Sequence, residues 1–246
     1  MPELMVTAAM KAILSSSVGG APPAEITGLV DRGGIVHNVD SAVHDFNGFQ
    51  IGAASEDRYV YVEYSSLCRN IGVDTTVQSI TVNGVATTFN QYPGASFGGA
   101  CAHAWVKVPS GTTANIKVTS NLNTTNGYAR VYTFNAAGTL TLLDHHQYLW
   151  PANTVPFVVN DIQCQNKGLL FAFAIPNAAG NNVTVTGSWN GVDTAVKDYQ
   201  VKYSPDGANG SGFHVSPTED STVRDFSFSV MDGATFITFV NSFGVS

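Results

Sequence analysis

From about residue 36 to residue 246 the chain is written in short runs where apolar and polar residues alternate, each closed by Gly, Pro, Asn, Asp or Ser. A period of two is that of a β-strand, whose successive side chains leave opposite faces. Ala102, Ala104, Val106 and Val108 share one face of such a strand while His103, Trp105 and Lys107 share the other, which predicts a half-buried element. Tyr59-Val60-Tyr61-Val62 is apolar on both faces and predicts a central strand. Ser79 to Val82, then Asn83-Gly84, then Val85 to Thr88 predicts a hairpin, because Asn-Gly supplies the two positive-φ positions of a type I′ turn. A second hairpin is predicted from Trp105–Val108 through Pro109-Ser110-Gly111 to Ala114–Thr119. The same grammar returns at Val183–Ser188, Lys197–Tyr203, Val223–Val230 and Thr235–Val240, with Phe226, Phe228 and Val230 opposite Asp225, Ser227 and Ser229.

One segment has a different period. Leu4, Met5, Ala8, Ala9, Ala12 and Ile13 draw an apolar stripe on a short helix over residues 4–14, and Ser15 to Pro23 breaks it with Ser, Gly and Pro. Residues 1–35 are therefore expected to be an N-terminal arm, helical or extended, and residues 36–246 an all-β body. With more than a dozen strands and turns between them, that body is expected to be an antiparallel β-sandwich of jelly-roll type. No crossover-helix pattern supports a parallel sheet, and no short repeat supports a propeller or solenoid. The strand count exceeds the roughly eight of a simple jelly roll, so one sandwich and two packed subdomains dividing near residues 136–155 both stand open.

Composition narrows the function classes. Of 246 residues, 44% are hydrophobic, which excludes intrinsic disorder, and only 12% are charged, so the surface is polar but hardly ionic. Eleven Lys and Arg, scattered singly, stand against 18 Asp and Glu, for a net charge of -7 and a pI near 5.2. Nucleic-acid binding is not expected, because phosphate contact needs clustered cations. Glu3 and a lone early Lys11 inside the apolar stretch do not make a secretory signal. The longest apolar run, Leu169 to Ile175, is closed by Pro176, far short of a membrane span. Cys68, Cys101 and Cys164 are too few and too dispersed for a disulfide framework or a zinc motif and read as buried thiols, with a Cys68–Cys101 bridge as the alternative.

The chain's candidate chemistry is weak. His37, Asp40, His44 and Asp45 have metal-ligand chemistry, but on one strand His37 and His44 would face opposite ways, so a polar loop is the better reading. Of Asp144, His145 and His146, at most one histidine can share a face with the aspartate. There is no GxSxG elbow and no phosphate-cradling glycine loop, and most Asp residues sit in turn contexts such as Pro205-Asp206-Gly207. No catalytic residue, cofactor or metal is expected. Trp105, Trp150, Trp189, Tyr92, Tyr148 and Tyr199 could stack sugar rings, although burial in a core or interface suits large aromatics better. Asn123, Asn182 and Asn209 match N-x-[ST] and read as turn and strand-surface chemistry.

Three stretches carry a family likeness: Gln50 to Val62 (QIGAASEDRYVYV), Gln78 to Thr87 (QSITVNGVAT) and Ala104 to Ala114 (AWVKVPSGTTA). Together with Gly187-Ser188-Trp189-Asn190-Gly191-Val192-Asp193 and the Phe-rich C-terminal strands, they resemble a pattern common in β-sandwich virion proteins of tailed bacteriophages and prophages. The resemblance spans roughly residues 43–246 and rests on turns and core positions, so it implies fold and virion context and transfers no catalytic or binding residue. It implies a non-enzymatic structural protein of the virion, assembled in the host cytoplasm, foremost a capsid decoration or cement protein. Expected partners are the major capsid or other virion proteins and further copies of the chain, a trimer being one closed arrangement; neither nucleic acid nor membrane is an expected partner. The arm, through Leu4, Met5, Ala8, Ala12 and Ile13, is the expected attachment segment. A tail, collar or fibre component is one alternative. A carbohydrate-binding module is the other, meeting a host-surface glycan through Trp105, Trp150 or Tyr148 as interface or stacking residues.

Overall fold

A computed structural model describes residues 24–67, 74–92, 99–150, 157–177, 185–190, 196–202, 209–215, 223–230 and 235–246. The expected helix of residues 4–14 lies outside them. The described chain is all-β, with every strand pairing antiparallel. In chain order the first strands are β1 (Ile26–His37), β2 (Ser41–Gln50), β3 (Arg58–Leu67), β4 (Val77–Val82), β5 (Val85–Ala86), β6 (Thr88–Tyr92), β7 (Cys101–Lys107), β8 (Thr113–Thr124) and β9 (Asn126–Ala136). There follow β10 (Leu140–Trp150), β11 (Phe157–Gln163), β12 (Leu169–Asn177), β13 (Val185–Asn190), β14 (Val196–Lys202), β15 (Asn209–Val215), β16 (Val223–Val230) and β17 (Thr235–Val245).

These strands build four sheets, ordered β1-β9-β3-β7-β6, β2-β8-β4-β5, β10-β17-β12-β15-β14 and β11-β16-β13. The first two enclose one apolar core (Phe46, Val60, Val62, Ile80, Val118, Val131) and the last two another (Phe157, Leu170, Trp189, Phe213, Phe226, Phe228). A third core, holding Tyr61, Tyr132, Phe134, Phe171, Phe239 and Phe243, joins the two five-stranded sheets. The molecule is thus two sandwiches stacked through their larger sheets, and the chain passes from one to the other at residues 137–139.

The two sandwiches share one topology. If β5 is set aside, the eight remaining strands of the first half pair in the order 1-8-3-6-5 and 2-7-4, and so do β10–β17. This is a jelly-roll winding in which the fifth strand has moved onto the sixth. In the first half that strand is divided: β5 stays with β4, and β6 crosses to pair with β7.

Stacking explains the apolar runs. A strand buried on both faces has no polar side. Along β12, Phe171, Phe173 and Ile175 enter the shared core while Leu170, Ala172 and Ala174 enter the outer one. Along β3, Tyr61 faces the shared core and Val60, Val62 and Tyr64 face the first sandwich's own core.

Several local expectations change. Ile26–His37 is a strand, so residues 26–35, read with the arm, belong to the first sheet. Asn83 and Gly84 have φ of 51° and 79°, as a type I′ turn needs, but only Val85 and Ala86 return along β4 before the chain changes sheet. The Pro109-Ser110-Gly111 turn does not close a hairpin. It carries the chain from β7 in one sheet to β8 in the other, a long-range pairing that no local signal encodes. β7 itself is buried on both faces, because the second sandwich covers the side bearing His103, which has no exposed surface.

Candidate functional site

Three groups of polar side chains stand out, and the fold buries the first of them. Between the sandwiches, Tyr61 on β3 donates its hydroxyl to Nδ1 of His103 on β7. Across the interface Asn241 on β17 donates Nδ2 to Tyr61 Oη at 3.0 Å and lies 2.9 Å from His103 Nδ1. Its Oδ1 meets His145 Nδ1 of β10 at 2.6 Å. Burial, followed by the charge of buried Glu63, pushes the Tyr61 phenol well up, and burial followed by His145 holds His103 well below its ordinary value. Both are neutral near pH 7, as burial of a charge without a partner would be costly. A second link joins Tyr132 Oη to Asp198 Oδ2 at 3.2 Å, with His214 Nδ1 2.6 Å from Asp198 Oδ1. These bonds fix the orientation of the two faces; with no exposed surface on Tyr61, His103 or Asn241, a substrate has no route to them.

The second group lies on edge strand β10. Asp144, His146 and Tyr148 share a face at every second position: His146 Nε2 meets Asp144 Oδ2 at 2.9 Å, and its ring stacks on Tyr148 at 6.2 Å between centroids. As the period of two requires, His145 points the other way, into the interface. Tyr148 is 40% exposed, the condition for a stacking surface. Of the other aromatics singled out, Trp105 is half-buried with its edge on Phe243 at 5.1 Å, joining the two sandwiches, and Trp189 is packed on Phe226 in the outer core. Trp150 ends β10, and its side chain lies outside the described residues, as does the arm with Leu4, Met5, Ala8, Ala12 and Ile13.

The third group was not legible as a site. At the end of the first sandwich, β1 and the segment after β2 enclose a cavity of about 210 Å³, lined in part by Arg32, Ser55, Arg58 and Asn135. Arg58 is buried, and its five N–H groups are spent on backbone carbonyls: Nε on Val108, Nη2 on Ser110 and Gly111, and Nη1 on Gly52 and Ala53, with that of Ile51 a longer contact at 3.4 Å. It therefore ties the crossover turn to the segment after β2. The only sequence trace of this is an arginine opening a central strand in a chain with few cations.

The histidine pair expected to diverge converges. His37 closes β1 and His44 lies on β2, so the intervening turn brings their Nδ1 atoms to 3.0 Å. Burial, then His37, lowers His44 to about 4, and Thr124 Oγ1 holds its Nε2 at 2.6 Å. Among the described residues no three metal-ligating side chains come together. Cys101 and Cys164 are buried and in no disulfide, so the Cys68–Cys101 bridge is not formed; Cys68 lies outside the described residues. Among the described residues no helix is long and apolar enough to cross a membrane. Compared with known protein families and with curated proteins, the chain matches none.

Proposed function

We propose that the chain is a non-enzymatic structural component of a phage virion, foremost a capsid decoration or cement protein. The observation that carries this reading is the doubled sandwich: two jelly-roll units of one topology locked face to face by an aromatic core and a buried hydrogen-bonded layer. Such a block buries the Tyr61–His103–Asn241 layer and offers its outer sheets, edges and turns for docking, which suits a part that must survive outside a cell. The likeness of residues 43–246 to phage β-sandwich proteins points the same way. Attachment to the major capsid protein and closed symmetry with further copies belong to the same proposal, as does the role of the arm.

Quantitative mass spectrometry of purified particles tests it. The chain should be present in fixed ratio to the major capsid protein and retained on DNA-free heads. A few copies confined to tails would move it to a tail, collar or fibre; absence from particles would end the virion reading. Exposed Tyr148 stacked on His146 favours a second reading, a glycan-binding module. Glycan-array binding lost in Tyr148→Ala at unchanged melting temperature would promote it.

A further inference from the structure

A bulge decides what edge strand β10 shows to solvent. Leu142 pairs with Phe243 and Asp144 with Ser242, so Leu143 has no counterpart on β17. One extra residue inverts the alternation. Before it, Leu140 and Leu142 pack against the shared core; after it, His145 and Leu149 point that way, and Asp144, His146 and Tyr148 take the outward face. An unbroken period of two would have turned these three side chains into the interface. Bulges of this kind re-aim side chains and recur beside active sites.

The outward face carries an ordered proton path. Asp144 is held by three N–H groups: the His145 amide on Oδ1 at 2.8 Å, and the Gln163 amide and His146 Nε2–H on Oδ2, each at 2.9 Å. Against burial, which would raise it, these bonds bring Asp144 below the ordinary carboxylate value, so it is an anion at neutral pH. An anion cannot donate. His146 Nε2 therefore carries the proton of the neutral imidazole, and Nδ1 keeps its lone pair. Tyr148 Oη lies 3.4 Å from Nδ1, a reach typical of a nucleophile and its base before a substrate draws them together. The Asp144 and His146 side chains are partly shielded, and Tyr148 is open to solvent.

We propose that Tyr148 is an acyl-acceptor site for thioesters, with His146 as its base and Asp144 as the residue that positions the base. As the Oη–C bond to the acyl carbon forms, His146 Nδ1 takes the phenol proton. The C–S bond then breaks, and the departing thiolate recovers that proton, leaving an O-acyl tyrosine and a free thiol. Leaving-group basicity selects the class: a phenol, near 10, displaces a thiol, near 8.5, whereas alkoxides and amines are too basic to leave. The inference is independent of the virion proposal. It also differs from the glycan reading, which needs only the ring of Tyr148 and not its hydroxyl.

The test incubates the full chain with N,S-diacetylcysteamine or p-nitrophenyl acetate, follows release of thiol or nitrophenolate, and maps the acetyl group by peptide mass spectrometry. Tyr148 should be the first position acetylated, with ethyl acetate inert. Tyr148→Phe should abolish this reaction, and His146→Ala should slow it about a hundredfold, as loss of a general base implies. His146→Gln serves if His146→Ala does not fold. Asp144→Asn should also slow it, because an amide N–H facing Nε2 turns the imidazole lone pair away from Tyr148. The pH profile separates a relay from mere support. In the intact chain the rate should level off above about pH 7.5, where imidazole is neutral; in the His146 and Asp144 variants it should keep rising toward about pH 10, as for a phenol without a base. Acetylation confined to lysines, or a Tyr148 rate and pH profile unchanged in these variants, would overturn the assignment. Ethyl acetate reacting as fast as the thioester would overturn the substrate class.

Discussion

Replacing Phe171 by Ala probes whether the two sandwiches melt as one. Phe171 has no exposed surface and stacks on Tyr61 across the interface at 4.1 Å between centroids and 7° between planes, with Tyr132 at 5.1 Å and Phe243 at 6.4 Å. A buried Phe→Ala change costs about 3–5 kcal/mol through lost transfer energy and the cavity left behind. Tyr61 and Tyr132 belong to the first sandwich, Phe171 and Phe243 to the second, so no single half can repack around the hole. At roughly 2–4 °C per kcal/mol for a chain of this size, a loss of about 4 kcal/mol should lower the melting temperature by about 8–16 °C. Each five-stranded sheet serves the shared core and one outer core, so scanning calorimetry should show a single transition, before and after the substitution, with calorimetric and van't Hoff enthalpies in agreement. Two resolved transitions, of which Phe171→Ala moves only one, would refute the claim that the interface couples the halves.

Acid should destabilise the fold well above the range in which carboxylates titrate. His44 and His103 are neutral when buried but gain protons when unfolded, so the unfolded chain binds more protons and stability falls as pH drops below about 6.5. With His44 held at about 4, its share alone approaches about 3 kcal/mol by that pH. Urea midpoints measured from neutral pH downward check this, and a flat profile would contradict it. Arg58→Met should cost about 3 kcal/mol, because the carbonyls of buried Ile51 and Val108 lose a charged donor, whereas those of exposed Ala53, Ser110 and Gly111 can turn to water. Arg58→Lys should recover little, having no planar fork; limited proteolysis at residues 51–55 and 109–112 would report the loosened segments, and full recovery by lysine would count against the clamp.

The sequence alone determined that the chain is β-structured and where many of its strands lie. A period of two marks strands such as Ala102–Val108 and Val223–Val230, a run apolar on both faces marks Tyr59–Val62 as central, and Asn83-Gly84 specifies its turn through two backbone angles. All of these are local properties. Tertiary structure decided what covers each face and which strand lies beside which. His103 reads as the polar face of a half-exposed strand until a second sandwich closes over it, and Pro109-Ser110-Gly111 reads as a hairpin until its flanking strands enter different sheets. Arg32 and Arg58 became neighbours only when β9 paired with both β1 and β3. Pattern fixes how a side chain leaves the backbone, but pairing and stacking join residues far apart in the chain, and alternation is blind to the identity of the partner.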